Sequence, residues 1–376
     1  MTLKEELEIL RGEPIEVYNG DPMDIPCIET SDQEKLCKNP VVSVHMITYN
    51  HELYIRQAIE GVMMQKTDFE FELVIGEDCS QDKTREICFE YQKKYPDKIR
   101  VLWWHENVSK LGGNGRRTSA RCRGEFIAFC EGDDYWIDPL KLQKQVDIMR
   151  QHKNVHLCFC DSKGYYQDRN ALADTWWGEN WGNSHVISGT DFCAGQKRLI
   201  TCSAMIRTNI FRFSCQRYEI FQWQLFLGDL QIWIAMNSFG DSFYINEKMA
   251  VYRIHQCGIT KKHWGDFLRD LKIVETYYSF LGILPDTIGK SARQDLGIAL
   301  CGDLSRCNKV ISRERARQML STPVIRNCLT GWMKFFLRYV SFLGYWDWLY
   351  KFARNTSHGY GWIFRGLMLR MRLKGV

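Results

Sequence analysis

Apolar residues gather in short runs through the first half of the chain, and the stretches between them carry helical spacing. Residues 41–47 (VVSVHMI), 71–76 (FELVIG), 99–103, 126–130 (FIAFC) and 155–160 (VHLCFC) read as strands buried on both faces. Between them, Ile55, Ile59, Val62 and Met63 mark one face of a helix, as do Ile87, Cys88, Tyr91 and Tyr95 within 84–95. Residues 116–123 have weaker helical character. A further helix is predicted from about Leu140, with Leu142, Val146 and Met149 inward. Strands alternating with helices predict an α/β fold, a mostly parallel sheet flanked by helices. Ligands of such sheets sit beyond the carboxyl ends of the strands. Asn50, Asp78 and Asp133 each follow a strand, so one rim is expected to present all three.

The pattern divides the chain into three. Residues 1–39, with Pro14, Pro22 and Pro26, read as an extension draped over a domain. Residues 40–256 carry the α/β pattern. Residues 257–376 read as mainly helical, with Leu271, Val274, Tyr277 and Tyr278 on one stripe. From Trp332 onward aromatics alternate with Lys334, Arg338, Lys351, Arg354, Arg365, Arg370, Arg372 and Lys374. That pattern suits a helix lying on the inner leaflet of a membrane, among lipid phosphates. It equally suits a face that packs on the main domain or on a second copy in a homo-oligomer. No uninterrupted apolar run approaches the roughly 20 residues of a spanning helix, and MTLKEELEIL lacks the apolar core of a signal peptide. The expected location is the cytoplasm, with the cytoplasmic membrane face as the alternative. The net charge of +5, from 50 basic and 45 acidic residues, does not call for nucleic acid as a partner. The 15 cysteines form no CxxC pair, which argues for buried free thiols over a zinc ribbon.

The informative chemistry lies in loops. Glu131, Asp133 and Asp134 follow a buried strand, and three carboxylates in four residues need cations, solvent or donors nearby. A divalent cation shared with a diphosphate would meet that need, with Mg²⁺ or Mn²⁺ favouring hard oxygen ligands; a solvated acidic turn is the plainer reading. In the loop 77–84, Asp82 is placed to cap the next helix and Asp78 to accept a hydrogen bond from a ligand. Asn50 and His51 also make good turn chemistry. Gly112 and Gly113 precede Arg116, Arg117 and Arg121, any one of which could meet a phosphate. Trp176, Trp177 and Trp181 fit a sugar-stacking surface, a core or a lid.

Taken in order, PVVSVHMITYNHELYIRQAIEGVMMQ, ELVIGEDCSQDKT and GEFIAFCEGDDYW resemble the inverting glycosyltransferase family 2, over about residues 40–256. The resemblance implies a GT-A fold, a nucleotide-sugar donor (UDP is the better guess) and a glycan or lipid-linked acceptor. It implies that Asp78 reads the nucleobase, with Thr48, Tyr49 and Asn50 lining the same pocket. The family's Asp-x-Asp metal motif appears here as Glu131-Gly132-Asp133, so Asp133 is the implied metal ligand and Glu131 is left to ribose or a metal-bound water. The family's donor-binding loop implies that one of Arg116, Arg117 and Arg121 meets the diphosphate; Arg117 is the candidate, and the choice among the three stays open. FLGDLQIW resembles the segment that supplies the catalytic base, giving Asp229, with Asp191 a weaker rival and helix capping the plain alternative. YRIH resembles the segment that closes on the pyrophosphate, giving Arg253 to phosphate and His255 to the metal shell or the diphosphate. The chain lacks the Gln-x-x-Arg-Trp motif of the polymerising members, so transfer of a single sugar is expected. A nucleotidyltransferase and a noncatalytic sugar-binding protein are the rival classes. The first would ordinarily carry a glycine-rich loop after the first strand, where this chain has ITYNHELY.

Overall fold

The computed structural model describes residues 4, 5, 8, 14, 27–108, 113–173, 182–194, 199–218 and 228–258. The three tryptophans of TWWGENW and the expected helical region beyond residue 258 lie outside the described residues.

In chain order the elements are β1 (Ile28–Thr30), β2 (Val42–Thr48), α1 (Ile55–Met63), β3 (Phe71–Glu77), α2 (Thr84–Lys94), β4 (Ile99–Trp103), α3 (Asn114–Ala120), β5 (Phe126–Phe129) and β6 (Tyr135–Trp136). They continue as α4 (Lys141–Gln151), β7 (Val155–Tyr166), β8 (Ala171–Ala173), β9 (His185–Ile187), α5 (Gly189–Ala194), β10 (Ala204–Arg207), α6 (Thr208–Arg217), α7 (Gly228–Phe239) and β11 (Asp241–Ile254). One sheet runs β1-β4-β3-β2-β5-β10-β7-β11-β6, with β8 added to β7 and β9 to β11. The run β4-β3-β2-β5 is parallel throughout, and β11 is parallel to β7. Antiparallel β10 is inserted between β5 and β7. β1, from the segment read as an extension, pairs antiparallel with β4 at the edge. A mixed sheet with a parallel nucleotide-binding half and helices on its faces is the GT-A arrangement expected from the sequence.

Burial explains why these segments fold this way. Every residue of β3 is buried, and in β2 only Ile47 is partly open, as an internal parallel strand requires. The inward face of α1 is Ile55, Ala58, Ile59 and Val62, and that of α4 includes Leu142, Val146 and Met149. α1 comes close to the strand that follows the acidic turn because Gly61 has no side chain: a Cβ there would lie 2.9 Å from the Trp136 backbone nitrogen. Cys158 and Cys160 are buried, and the described cysteines are free thiols.

α3 is held against the sheet by polar contacts. Asn114 Nδ2 donates to the Gly76 carbonyl at 2.5 Å, Thr118 Oγ1 donates to Asn114 Oδ1, and His45 Nε2 meets the Gly115 carbonyl at 3.0 Å. A Cβ on Gly76 would collide with Thr118 Oγ1 and Asn114 Oδ1. Gly76→Ala is therefore expected to destabilise the protein by about 1–3 kcal/mol, the cost of overpacking a filled interior. A lowered thermal midpoint would show it, and an unchanged midpoint would mean that α3 shifts freely.

Candidate active site

The first loop of the rim, after β2, is laced to the loop after β3. Asn50 takes a positive φ of 55°, which asparagine tolerates better than most residues. Its backbone N–H donates to Ser80 Oγ, and its Oδ1 accepts from the Gln81 N–H at 2.8 Å. His51 N–H donates to Thr84 Oγ1, and Glu52 N–H donates to Asp82 Oδ2. Asp82 also accepts from Thr84 N–H at the start of α2, so it serves as the helix-terminal carboxylate expected and as a loop tie. Thr48 is buried and Tyr49 is 42% exposed beside it.

Asp78 is 1% exposed. Its N–H donates to the Thr48 carbonyl at 3.1 Å, and its Oδ1 accepts from the Val108 N–H at 2.7 Å. Arg117, also buried, lies within the field of Asp78 and over the Trp104 ring at 5.8 Å. Burial lowers the pKa of Arg117, and Asp78 opposes that shift. Of the three loop arginines, Arg117 is thus the one packed beside the expected base-reading acid, while Arg116 and Arg121 are partly open.

The acidic turn lies between β5 and β6. Gly132 N–H donates to the Ile47 carbonyl, and a Cβ at Gly132 would fall 2.6 Å from Thr48 Oγ1. Close backbone approach there joins the turn to the end of β2. The turn's carboxylates then separate by environment. Asp133 lies 3.0 Å from His255 Nε2 and 3.8 Å from His51 Nε2. Burial works against its ionisation, but the two imidazoles outweigh it and hold its pKa below the ordinary value. Glu131 is pushed the other way by burial, then by the charge of Asp133, and after that by the charge of Asp229. Asp134 is 3% exposed, faces the protein and accepts from the Arg253 N–H at 2.8 Å.

Arg253, expected at a phosphate, is placed as a brace. Its Nε donates to the Asp133 carbonyl at 2.7 Å, its Nη1 to Gln167 Oε1 and its Nη2 to Gln57 Oε1, both at 2.6 Å. The guanidinium also lies within 5.3 Å of the ring centroids of Tyr54, Tyr135 and Tyr165. These bonds fix the turn that carries Asp133. Arg253→Lys keeps the charge but not the planar fork, and is expected to cost about 2–3 kcal/mol, the scale of hydrogen bonds to charged groups. Denaturant unfolding would measure it; a loss near zero would show that the brace is dispensable.

Asp229 sits in the first turn of α7, partly buried, with Thr201 Oγ1 donating to its Oδ2 at 3.1 Å and the Leu230 N–H to its Oδ1 at 2.8 Å. Its charge is felt at Glu131, which puts the two acids in one electrostatic neighbourhood. The rival Asp191 exchanges hydrogen bonds with Ser188 at the start of α5, a reciprocal capping arrangement. Backbone hydrogen bonds from Asp78 to Thr48 and from Gly132 to Ile47, both at the end of β2, and the shared field of Glu131 and Asp229 therefore bring the expected acids of separate loops to one rim.

The donor set fits a divalent cation. Asp133 Oδ2 is faced by Nε2 of His255 at 3.0 Å and of His51 at 3.8 Å, so Asp133 and an imidazole Nε2 could hold the ion between them, and buried Glu131 Oε2 in the same turn has no hydrogen-bond partner. Among the described residues no group of three or more histidine, cysteine or carboxylate side chains is placed to hold a metal ion. Sequence reading passed over His51 as turn chemistry and did not single out Tyr54 or Gln57, although all three lie within seven residues of one another in TYNHELYIRQ.

A model of the glycosyl transferase family 2 matches residues 43–212. The putative teichuronic acid biosynthesis glycosyltransferase TuaG of Bacillus subtilis is 33% identical over 230 residues, covering 60% of this chain and 83% of that protein. The uncharacterized protein Rv1520 of Mycobacterium tuberculosis is 40% identical over 127 residues, 34% of this chain; the match spans 36% of that relative's length. The mannosyltransferase PcManGT of Pyrobaculum calidifontis, solved in complex with GDP-Man and Mn²⁺, superposes with a TM-score of 0.52 at 14% identity, covering 95% of this chain and 94% of that one. That last likeness is one of fold.

Proposed function

The chain belongs to glycosyl transferase family 2, and from that premise we propose that it transfers a single sugar, with inversion, from a nucleoside-diphosphate-sugar to a hydroxyl of a glycan or lipid-linked acceptor. The observation that carries this reading is the meeting of Asp133, His255, Glu131 and Asp229 at the rim beyond the parallel strands. UDP is the proposed nucleotide, and surface polysaccharide or glycoconjugate synthesis is the proposed setting.

In this reading Asp78 accepts a hydrogen bond from the base, and the backbone from Thr48 to Asn50 walls the pocket. Arg117, beside Asp78, supplies positive charge toward the diphosphate. Asp133 and His255 would hold Mn²⁺ or Mg²⁺, which when bound offsets the charge that grows on the leaving diphosphate. Arg253 keeps the Asp133–Asp134 turn in place. Asp229 takes the proton of the acceptor hydroxyl as its oxygen attacks the anomeric carbon; an acid of ordinary strength suffices because that hydroxyl becomes acidic only as the bond forms. Glu131, held toward its protonated form, offers a hydrogen-bond donor to ribose or water. Aligning the attacking oxygen, the anomeric carbon and the leaving oxygen removes an entropic part of the barrier.

The test is a screen of nucleotide-sugars with Mg²⁺ and Mn²⁺, with products read by mass. Release of a nucleoside diphosphate, and a sugar added to an acceptor or to water, is expected. Release of pyrophosphate from a nucleoside triphosphate would assign a nucleotidyltransferase instead. Binding of donors with no turnover under any condition would assign a noncatalytic binder.

A further inference from the structure

A concave site lies at the opposite end of β5 from the acidic turn. It is a cavity of about 370 Å³ where Gly124 and Glu125 enter β5 and where β10 passes into α6. Six residues of nearly extended chain lie between Gly124 and Glu131, a span of roughly 20 Å at about 3.3 Å per residue. The cavity is therefore distinct from the rim. Three of its lining residues are arginines, Arg123, Arg207 and Arg212, against a single acid, Glu125.

Each guanidinium is anchored on one side and keeps donors on the other. Arg123 is tied by Nε and Nη2 to buried Glu72 at 2.9 and 2.6 Å, and by Nη2 to the Cys37 carbonyl. Arg207 donates from Nε to the Val155 carbonyl and from Nη2 to the Met149 and His152 carbonyls. Arg212 donates from Nη2 to the Cys122 carbonyl at 2.8 Å. Arginine has five N–H donors, so Nη1 of all three, with Nε of Arg212, has no hydrogen-bond acceptor among the described residues. Two of the three anchors are neutral carbonyls, which hold a guanidinium without cancelling its charge. The nearest carboxylate to Arg207 is Glu125, 3.9 Å from its Nη1 and half exposed. Burial accordingly lowers the pKa of Arg207, with only Glu125 opposing it. Arginines fixed this way have already lost the side-chain freedom that binding would cost. Their free edges suit the oxygens of a tetrahedral anion.

The geometry points to this cavity as a binding site for a phosphate group, carried by a small phosphorylated molecule or by a phospholipid headgroup. It is independent of the donor cleft and of the function proposed for it. The probes are inorganic pyrophosphate and vesicles of phosphatidic acid, used with the full-length chain in EDTA so that no cation bridges ligands in the donor cleft. Saturable pyrophosphate binding by calorimetry is expected for the unaltered protein and for Asp133→Asn. It is expected to weaken at least tenfold in Arg212→Glu. Asn209→Glu, which puts a carboxylate on the cavity wall without removing an anchoring bond, should act alike and guards against misfolding of the first variant. Sedimentation with phosphatidic acid vesicles but not phosphatidylcholine vesicles, lost in both variants, supports the site and identifies a headgroup source. Pyrophosphate binding without sedimentation supports it with a soluble source. Equal binding by Asn209→Glu and the unaltered protein, loss of binding in Asp133→Asn, or no binding of either probe overturns the proposal.

Discussion

Asp229→Asn is expected to lower the turnover number for transfer by about 10²–10⁴-fold, the usual range for a lost general base, with donor binding little changed. The amide has nearly the shape of the carboxylate, so its Oδ1 can still accept one of the bonds now made by Thr201 Oγ1 and the Leu230 N–H. The start of α7 should therefore survive. In the proposed role, what is lost is basicity at the point where the acceptor oxygen sheds its proton. Calorimetry with the nucleotide and single-turnover rates would separate the two effects. Weak nucleotide binding with normal turnover at saturation would move Asp229 from chemistry to structure, and unchanged kinetics would remove it from the site.

A loss of similar or greater size is expected for Asp133→Asn, for a different reason. Asp133 is the carboxylate of its turn that the imidazoles of His51 and His255 keep ionised, and so the one able to carry charge toward a cation. Asparagine keeps the neighbouring backbone bond from Arg253 Nε to the Asp133 carbonyl, and with it the brace of the turn. It removes the negative ligand. Losing one preorganised electrostatic contact typically costs about 10²–10³-fold in turnover, and losing the cation as well would cost more. Folding should be intact, because removing Asp133's charge also relieves Glu131 and Asp134, whose ionisation it opposes. Activity of the variant within tenfold of the unaltered protein would exclude Asp133 as the metal ligand.

The parallel half of the fold was legible because its strands are buried on both faces. VVSVHMI, FELVIG and FIAFC are mostly apolar runs, interrupted only by Ser43, His45 and Glu72, and β2, β3 and β5 lie within a residue or two of them. Placing Asp78 and Asp133 at the carboxyl ends of those strands then followed from topology. The second half was less readable. β7 runs on to Tyr166, past the apolar run 155–160, through Asp161, Ser162, Lys163 and Gly164, whose polarity reads as a loop. Its support comes from β11 and β8, which only the folded chain supplies. β10 is four residues long and antiparallel, and nothing in AMIR announces that it will part β5 from β7.

Single-residue roles were harder still. The sequence places Arg253 beside a histidine at a phosphate-facing segment, yet its partners Gln57 and Gln167 stand 196 and 86 residues away. The inequality of Glu131, Asp133 and Asp134 is likewise invisible in EGDD. It arises because two histidines from separate loops approach Asp133 alone, while Asp134 turns inward to the β11 backbone.

If Asp133 and His255 hold a cation jointly with the diphosphate of an activated sugar, Mn²⁺ and the nucleotide must bind cooperatively. Electron paramagnetic resonance titration of Mn²⁺, with and without UDP, measures this directly and needs no turnover. The unaltered protein should bind Mn²⁺ weakly alone and at least tenfold more tightly with UDP, and Asp133→Asn should lose that gain. Mn²⁺ binding indifferent to UDP, or a gain retained in Asp133→Asn, would contradict the account.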